Sequence, residues 1–204
     1  MSRPREFDEE AVLDAVMDCF WVRGYQATSM RDIAERTGLT TASLYNAFGD
    51  KRALYRAVLE RYASSELAGF AALLEGGLPP LSALAAFFDS IVREAVDDKQ
   101  RKGCLAVNTA LEVAPHDEEL KSLVTQAFEQ LEAYLERCVA AGQADGSIQT
   151  TQSSGDLARM LLAAVLGLRV LARTRPDEEA LTGATRPYLT MLSATSNAKT
   201  LPAG

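Results

Sequence analysis

The chain has 204 residues, of which 48% are hydrophobic and 24% are charged. These values are those of an ordinary soluble globular protein, and they exclude an intrinsically disordered chain, a fibrous repeat and a small disulfide scaffold. The 28 acidic residues outnumber the 21 basic ones and give a net charge of −7, so the chain cannot coat nucleic acid by bulk positive charge. DNA binding would require a local patch, because salt screens distant exposed charges.

The cysteines and the apolar segments indicate where the protein works. Cys19, Cys104 and Cys138 form no CxxC pair, and an odd number of cysteines is simplest to explain in a reducing compartment. The N-terminal residues lack the apolar segment of a signal peptide, and the longest strongly apolar run, residues 160–168, is too short to span a bilayer. We therefore expect a cytoplasmic protein without a membrane segment.

Apolar residues recur at helical spacing along the chain and no β-alternation is convincing, so the sequence predicts an all-α fold. Asp8 can cap a first helix that ends at Gly24, and Ser29 with Asp32 resembles the capping box of a second, short helix. Pro176 suits the first position of a last helix. The helices predicted between these run over about residues 40–48, 50–74, 81–96, 102–113, 120–139 and 155–172.

Residues 28–52 have the pattern of a helix-turn-helix, in which a tight turn separates two short helices. Gly38 can adopt the left-handed conformation that the turn needs, and Thr40 or Thr41 can cap the third helix. No charged residue lies between Gly38 and Gly49. Short hydrogen-bonding side chains that suit phosphate oxygens and base edges point outward from this helix, namely Thr40, Thr41, Ser43, Tyr45 and Asn46.

Basic residues flank the third helix and are candidates for contacts with the DNA backbone. Lys51 and Arg52 begin the following helix, and Arg31 opens the second one. Arg3 and Arg5 could reach a minor groove. The alternative is a solvated helical hairpin without DNA function, because helix-turn-helix geometry is common and weakly encoded.

The stretch resembles the TetR/AcrR family of transcriptional repressors. The resemblance implies an N-terminal three-helix DNA-binding unit at residues 1–52 and a helical bundle for effector binding and dimerisation at residues 53–204. The matching residues are Arg23-Gly24-Tyr25, Thr28-Ser29-Met30-Arg31-Asp32-Ile33-Ala34, Gly38-Leu39 and Ser43-Leu44-Tyr45-Asn46-Ala47-Phe48-Gly49-Asp50-Lys51.

The resemblance also implies that the protein is a ligand-responsive homodimeric repressor. Its groove and phosphate contacts would be Thr40, Thr41, Tyr45, Asn46 and Lys51. The pair Thr40-Thr41 departs from the family pattern, because relatives often carry a serine followed by a basic residue. The missing positive charge would weaken non-specific affinity or shift the sequence that is read.

The predicted helix at residues 155–172 is apolar nearly all round and must be buried on two sides. One side can face its own bundle and the other a second copy, unless this is the central helix of a monomeric bundle. The family resemblance favours a dimer, which implies a palindromic operator with half-sites about 34–36 Å apart or a multiple of that. The predicted interface residues are Leu161, Ala164, Gly167, Leu168 and Leu171.

The resemblance further implies a small-molecule effector bound in the C-terminal bundle. Asn108 and Glu112 share one face of a short helix and could orient a ligand or face solvent. The aromatic and apolar candidates, taken as individual residues, are more often plain core than ligand contacts. The predicted effector-binding residues are Phe70, Phe87, Phe88, Ile91, Cys104, Asn108, Leu111, Glu112 and Phe128.

Cys104 has a second candidate role. It lies near a helix N-terminus beside Arg101 and Lys102, where a thiolate is favoured. Gly103-Cys104-Leu105 resembles a subset of the family in which this cysteine senses electrophiles or oxidants. It can also be an inert buried thiol, since cysteine is among the most buried residue types.

Two rival interpretations belong to other functional classes. An enzyme is disfavoured because His116 is the only histidine and no nucleophile elbow, zinc-protease motif, phosphate-binding loop or dinucleotide fingerprint is present. We therefore expect no catalytic residues, no cofactor and no metal. A helical small-molecule-binding or protein-interaction module without DNA function is the other alternative, and it would show no salt-dependent DNA affinity.

Overall fold

The computed structural model describes residues 7–193, and over this range the chain is α-helical without a β-strand. The predicted all-α fold is therefore confirmed. Nine α-helices occur in these residues, with one 3-10 turn at Ala114–His116. The α-helices are α1 (Glu9–Arg23), α2 (Met30–Thr37), α3 (Thr41–Phe48), α4 (Lys51–Leu74), α5 (Pro80–Asp97), α6 (Leu105–Glu112), α7 (Glu118–Asp145), α8 (Ser154–Thr174) and α9 (Glu178–Ser193).

Capping residues set most helix ends where the sequence predicts them. The carboxylate of Asp8 accepts hydrogen bonds from the first-turn amides of α1, and Gly24 ends that helix with a φ of 87°. The start of α9 differs from the prediction, which placed Pro176 at the first helical position. Asp177 caps this helix instead, because its carboxylate accepts from the amide of Ala180 at 2.8 Å.

α6 begins at Leu105, about three residues later than the sequence pattern indicates. Arg101 and Gly103 have φ angles of 54° and 66°. This left-handed conformation cannot continue a right-handed helix, so the backbone turns here before α6 begins. Cys104 consequently lies just before the helix, with an extended backbone, rather than inside its first turn.

The chain divides into two compact units. The first runs to Glu66 and also contains Gln100–Ala127, and the second comprises Leu67–Lys99 and the residues from Phe128 onward. The predicted boundary after residue 52 divides the chain by function and stays a prediction.

The first unit has an aromatic core beneath its N-terminal helices. α1 packs on α2, and α2 packs on α3. The rings of Phe20 and Tyr25 each lie 4.8 Å from the ring of Tyr55. Phe20 and Tyr55 are almost completely buried, so their ring contact holds α1 against α4.

The second unit is built on α5, which packs against α8 and α9. Phe87 and Phe88 of α5 are fully buried, and the ring of Phe70 meets Phe87 edge to face at 5.1 Å. Arg169 of α8 is also buried, but it donates to the carboxylate of Glu94 at 2.7 Å. The buried charge is therefore paired, as an apolar surrounding requires.

Candidate nucleic-acid interface

A short turn joins α2 to α3, and local contacts fix both helices. The Ser29 hydroxyl accepts from the Asp32 amide at 3.2 Å, while the Asp32 carboxylate accepts from the Ser29 amide at 2.8 Å. Gly38 ends α2 in the left-handed conformation, with a φ of 71°. Thr40 then caps α3, because its hydroxyl accepts from the Ser43 amide at 3.1 Å. The predicted capping box, turn glycine and cap of this helix-turn-helix are confirmed.

α3 is anchored on one side and open on the other. Leu44 is fully buried and holds the helix against the core of the first unit. Ser43 is half-buried, and its hydroxyl lies 2.9 Å from that of Thr40. Tyr45 is 51% exposed. We call the outward residues the α3 surface, which carries hydroxyl and amide groups but no formal charge, and which consists of Thr40, Thr41, Ser43, Tyr45 and Asn46.

Lys51 lies at the start of α4 against the loop between α1 and α2. Its Nζ is 4.4 Å from the centre of the Tyr25 ring and donates to the Gln26 carbonyl at 3.5 Å. Partial burial lowers the pKa of Lys51, although the charge of Glu112 acts in the opposite direction. The loop therefore holds the ammonium group in a defined place at the edge of the helix-turn-helix.

Arg52 has different surroundings from those of its neighbour Lys51. Its guanidinium donates to both carboxylate oxygens of Asp117, and it pairs with Glu119 at 2.6 Å. These bonds raise the pKa of Arg52 and lower that of Asp117. The sequence placed Arg52 among the phosphate contacts, but the structure commits its donors to carboxylates 65 and 67 residues further along the chain. No local sequence signal indicates that pairing.

Of the other basic candidates, Arg31 is exposed on the first turn of α2. Arg3 and Arg5 lie outside the described residues. Arg23 and Arg36 also flank the helix-turn-helix, but they form ion pairs with Asp32 at 2.8 Å and Asp18 at 3.1 Å, respectively. Arg31 and Lys51 are thus the basic residues of this region whose surroundings best fit the predicted phosphate contacts.

Comparison with known proteins identifies the family. A profile described as "Bacterial regulatory proteins, tetR family" matches residues 12–58, and one described as "Tetracyclin repressor-like, C-terminal domain" matches residues 80–188. The transcriptional repressor ComR of Escherichia coli is 32% identical over 184 residues, which are 88% of this chain and 86% of ComR. The chain belongs to the TetR family.

Solved structures agree with this assignment. The TetR-family regulator CifR, in a cysteine-substituted form complexed with 26-bp double-strand operator DNA, is 29% identical, with a TM-score of 0.81 over 92% of this chain and 98% of CifR. A TetR-family regulator of Agrobacterium tumefaciens is 25% identical, with a TM-score of 0.81 over 92% of this chain and all of that one. This TetR-family protein is a DNA-binding transcriptional regulator.

The residues predicted to bind an effector fall in both compact units. Phe87, Phe88 and Ile91 are buried in the core of the second unit, where Phe70 packs against them. Phe128 is half-buried in the same unit. The effector-binding role of these five residues stays a prediction.

The other four predicted effector residues lie in the first unit. Leu111 is 70% exposed. The Asn108 amide donates to the carbonyl of Lys102 at 2.9 Å, which ties α6 to the turn before it. Glu112 accepts from the backbone amides of Tyr25 and Gln26. The two polar side chains that share a helix face thus bond the protein's own main chain. Periodicity alone could not reveal these partners.

Cys104 is buried at the junction of three helices of the first unit. Its sulfur accepts a hydrogen bond from the Tyr62 hydroxyl at 3.3 Å. The Trp21 ring lies 4.9 Å from the Tyr62 ring, and the Trp21 indole donates to the Gly103 carbonyl at 3.1 Å. A chemical change at this sulfur would therefore disturb the packing of α1 and α4 as well as that of α6.

α8 carries both a buried and an exposed apolar face. Leu161, Ala164 and Leu168 are buried inside this single chain, in the core of the second unit, and are unavailable to a partner. Of the five residues predicted to form the interface, only Gly167 and Leu171 are exposed. A row of exposed residues at helical spacing includes these two, and we call it the α8 strip: Ala163, Gly167, Val170 and Leu171.

Residues 7–193 contain no group of three or more His, Cys, Asp or Glu side chains placed to hold a metal ion. None of the helices in this range combines the length and the apolar character that a membrane span requires.

Proposed function

We propose that this TetR-family protein is a homodimeric repressor in which each copy inserts its α3 surface into the major groove of a palindromic operator. The observation that carries the proposal is an exposed helix of eight residues without formal charge, whose hydroxyl and amide groups match the donors and acceptors of base edges. Asn46 is suited to adenine, and the Thr40 and Thr41 methyl groups are suited to thymine. The protein works by binding rather than by catalysis.

Arg31 and Lys51 contact phosphates beside this groove in the proposed complex. Arg31 is exposed at the start of α2, and Lys51 is held at the start of α4. Phosphate contacts position a protein on the duplex without reading its sequence. The net charge of −7 makes such local contacts necessary, because the chain as a whole repels DNA. Because its partner in this proposal is operator DNA, we propose a cytoplasmic location for the protein.

The dimer forms through the exposed sides of α8 and α9. Val170, Leu171 and Met191 are each at least 40% exposed, although they are apolar. Apart from the adjacent residues and the local helix backbone, no atom of this chain lies within 4 Å of the place where a Cβ on Gly167 would be, so a second helix can approach closely there. The similarity to CifR, which was solved in complex with 26-bp double-strand operator DNA, supports operator binding by the present chain.

Release from the operator follows binding of a small molecule in the C-terminal bundle or modification of Cys104. The aromatic cluster at Phe70, Phe87 and Phe88 supplies apolar surface for the first route. For the second, burial raises the pKa of Cys138 to about 11 and also raises that of Cys19, so both are poor nucleophiles. The sulfur of Cys104 contacts the Tyr62 hydroxyl, so modification of this third cysteine would disturb the packing between α4 and the start of α6.

A thiol reagent tests the second route. Iodoacetamide forms a carbon–sulfur bond at a reactive cysteine while the thiol proton and iodide leave. We expect it to lower operator affinity of the wild type and of Cys19→Ala, but not of Cys104→Ala. An equal response of all three proteins would remove Cys104 as the trigger and leave the small-molecule route.

Titration of an operator tests the DNA-binding surface. The operator is first obtained by selecting bound duplexes from a random pool. Tyr45→Ala should then lower operator affinity by roughly 5- to 150-fold, which corresponds to the roughly 1–3 kcal/mol that a good base contact contributes. Leu78→Ala removes a similarly exposed side chain in the second unit and should bind as the wild type does. Equal operator binding by Tyr45→Ala and wild type would contradict the proposal.

A further inference from the structure

Glu112, the last residue of α6, brackets the loop between α1 and α2. Its Oε2 accepts from the Tyr25 amide at 3.1 Å and its Oε1 accepts from the Gln26 amide at 2.7 Å. A carboxylate that accepts two successive main-chain N–H groups fixes both the position and the orientation of that peptide segment. The carboxylate is half-buried, and its partners lie 87 and 86 residues earlier in the chain.

The loop backbone is shaped to admit this carboxylate. Gly24 has a φ of 87°, and a Cβ at that position would lie only 3.0 Å from Oε2 of Glu112. Glycine meets both demands, since it tolerates the conformation and leaves room for the side chain. The buried hydroxyl of Thr28 closes the loop by donating to the Gly24 carbonyl at 2.7 Å.

Tyr25 and Gln26, the two loop residues that donate to Glu112, also contact Lys51 through other groups. The Gln26 N–H donates to Glu112, and the Gln26 carbonyl accepts from the Lys51 ammonium. The Tyr25 N–H also donates to Glu112, and the Lys51 ammonium lies over the face of the Tyr25 ring. The position of Lys51 is therefore set by a dipeptide whose own position is set by Glu112.

A second contact joins α6 to this dipeptide. Thr109 lies three residues before Glu112, on the same face of the helix. Its hydroxyl is 2.7 Å from the buried hydroxyl of Tyr55, and the Tyr55 ring lies 4.8 Å from that of Tyr25. Two side chains of α6 thus support the segment that positions Lys51.

We propose that Glu112 is a positioning residue for DNA binding, which couples the location of α6 to the phosphate contact of Lys51. This inference rests on the proposed function, because it needs Lys51 at the DNA backbone. A shift of α6, which begins next to Cys104, withdraws the bracket and releases Lys51 from its place. Glu112 itself touches no DNA and belongs to the machinery that transmits the switch.

A double-mutant cycle tests the coupling on the full-length protein. Operator affinity is measured as a function of salt for wild type, Glu112→Gln, Lys51→Gln and the double variant. Glu112→Gln replaces one acceptor oxygen with a donor, and we expect about a tenfold loss of affinity and a salt slope smaller by about one. Lys51→Gln should show the same two changes, and the double variant should bind no more weakly than Lys51→Gln.

The controls separate positioning from a purely structural role. Glu118→Gln removes an exposed carboxylate at the start of α7 and should leave affinity and salt slope unchanged. Hydrogen exchange of the Gln26 amide should accelerate in Glu112→Gln and not in Glu118→Gln. If Glu112→Gln fails to fold, Glu112→Asp, which shortens the reach by one methylene, is measured in its place.

The outcomes are distinguishable from failure of the proposed function. Independent, additive losses in the cycle, or an unchanged salt slope in Glu112→Gln or Lys51→Gln, would overturn the coupling even though Tyr45→Ala weakens operator binding. Absence of selective binding by the wild type would overturn the proposed function itself, and the coupling with it.

Discussion

At the scale of single residues, two neighbouring basic side chains at the start of α4 have different partners. Lys51 contacts the ring of Tyr25 and a backbone carbonyl. Arg52 forms a two-bond pair with Asp117 and a further pair with Glu119. A guanidinium whose donors are already matched to carboxylates gains little from a phosphate, since it would have to give up equivalent bonds.

This contrast predicts different salt dependences for two variants. Lys51→Gln should reduce the slope of log affinity against log salt by about one, because one phosphate contact is lost. Arg52→Gln removes the same charge but should leave the slope within error of the wild type. Fluorescence titration of a labelled operator at several salt concentrations measures both slopes. Equal reductions would show that Arg52 leaves its carboxylates to bind DNA.

The α3 surface could be predicted from the sequence because contacts between residues close together in the chain place the helix. Ser29, Asp32, Gly38 and Thr40 each act on a residue within a few positions, so short patterns reveal them. The pairing of Arg52 and the bracket formed by Glu112 join residues more than 60 positions apart. Periodicity places a side chain on a helix face, but it does not specify what lies opposite, and this limits prediction of the site.

At the scale of whole elements, backbone conformation determines where a helix begins, which apolar periodicity alone does not specify. The apolar pattern from residue 102 onward predicts a helix there, yet the positive φ of Arg101 and Gly103 delays α6 to Leu105. Arginine rarely adopts this conformation, so the sequence gives no indication of it. α8 shows a related limit, because an all-apolar helix does not reveal which side its own bundle covers.

The exposed apolar side of α8 predicts that a charge placed there should separate the two copies of the protein. Leu171→Glu places a charge on the α8 strip and should convert the dimer to monomers, because an unpaired carboxylate is costly to bury in an interface. Leu78→Glu adds the same charge to an exposed position between α4 and α5 and should remain dimeric. Sedimentation equilibrium measures both. A dimeric Leu171→Glu protein would place the interface elsewhere.

At the scale of the whole molecule, the proposed interface would let an acidic protein bind a polyanion through one small neutral surface and a few placed cations. The α3 surface has no carboxylate to repel phosphate, although the whole chain has an excess of seven acidic residues. In the proposed dimer, two-fold symmetry would present that surface twice to the duplex, so the same base preferences should occur in both half-sites. Affinity and specificity then depend on different residues of the same unit.

Selection of bound duplexes from a random pool, carried out in parallel with wild type and Asn46→Ala, tests this account most directly. The wild type should select a two-fold-symmetric consensus with half-sites about one helical turn apart or a multiple of that. Asn46→Ala should lose base preference at one position in each half-site, related by the two-fold axis, with the remaining positions unchanged. An asymmetric consensus, or an identical consensus from both proteins, would contradict the assignment of the α3 surface as the element that reads the operator.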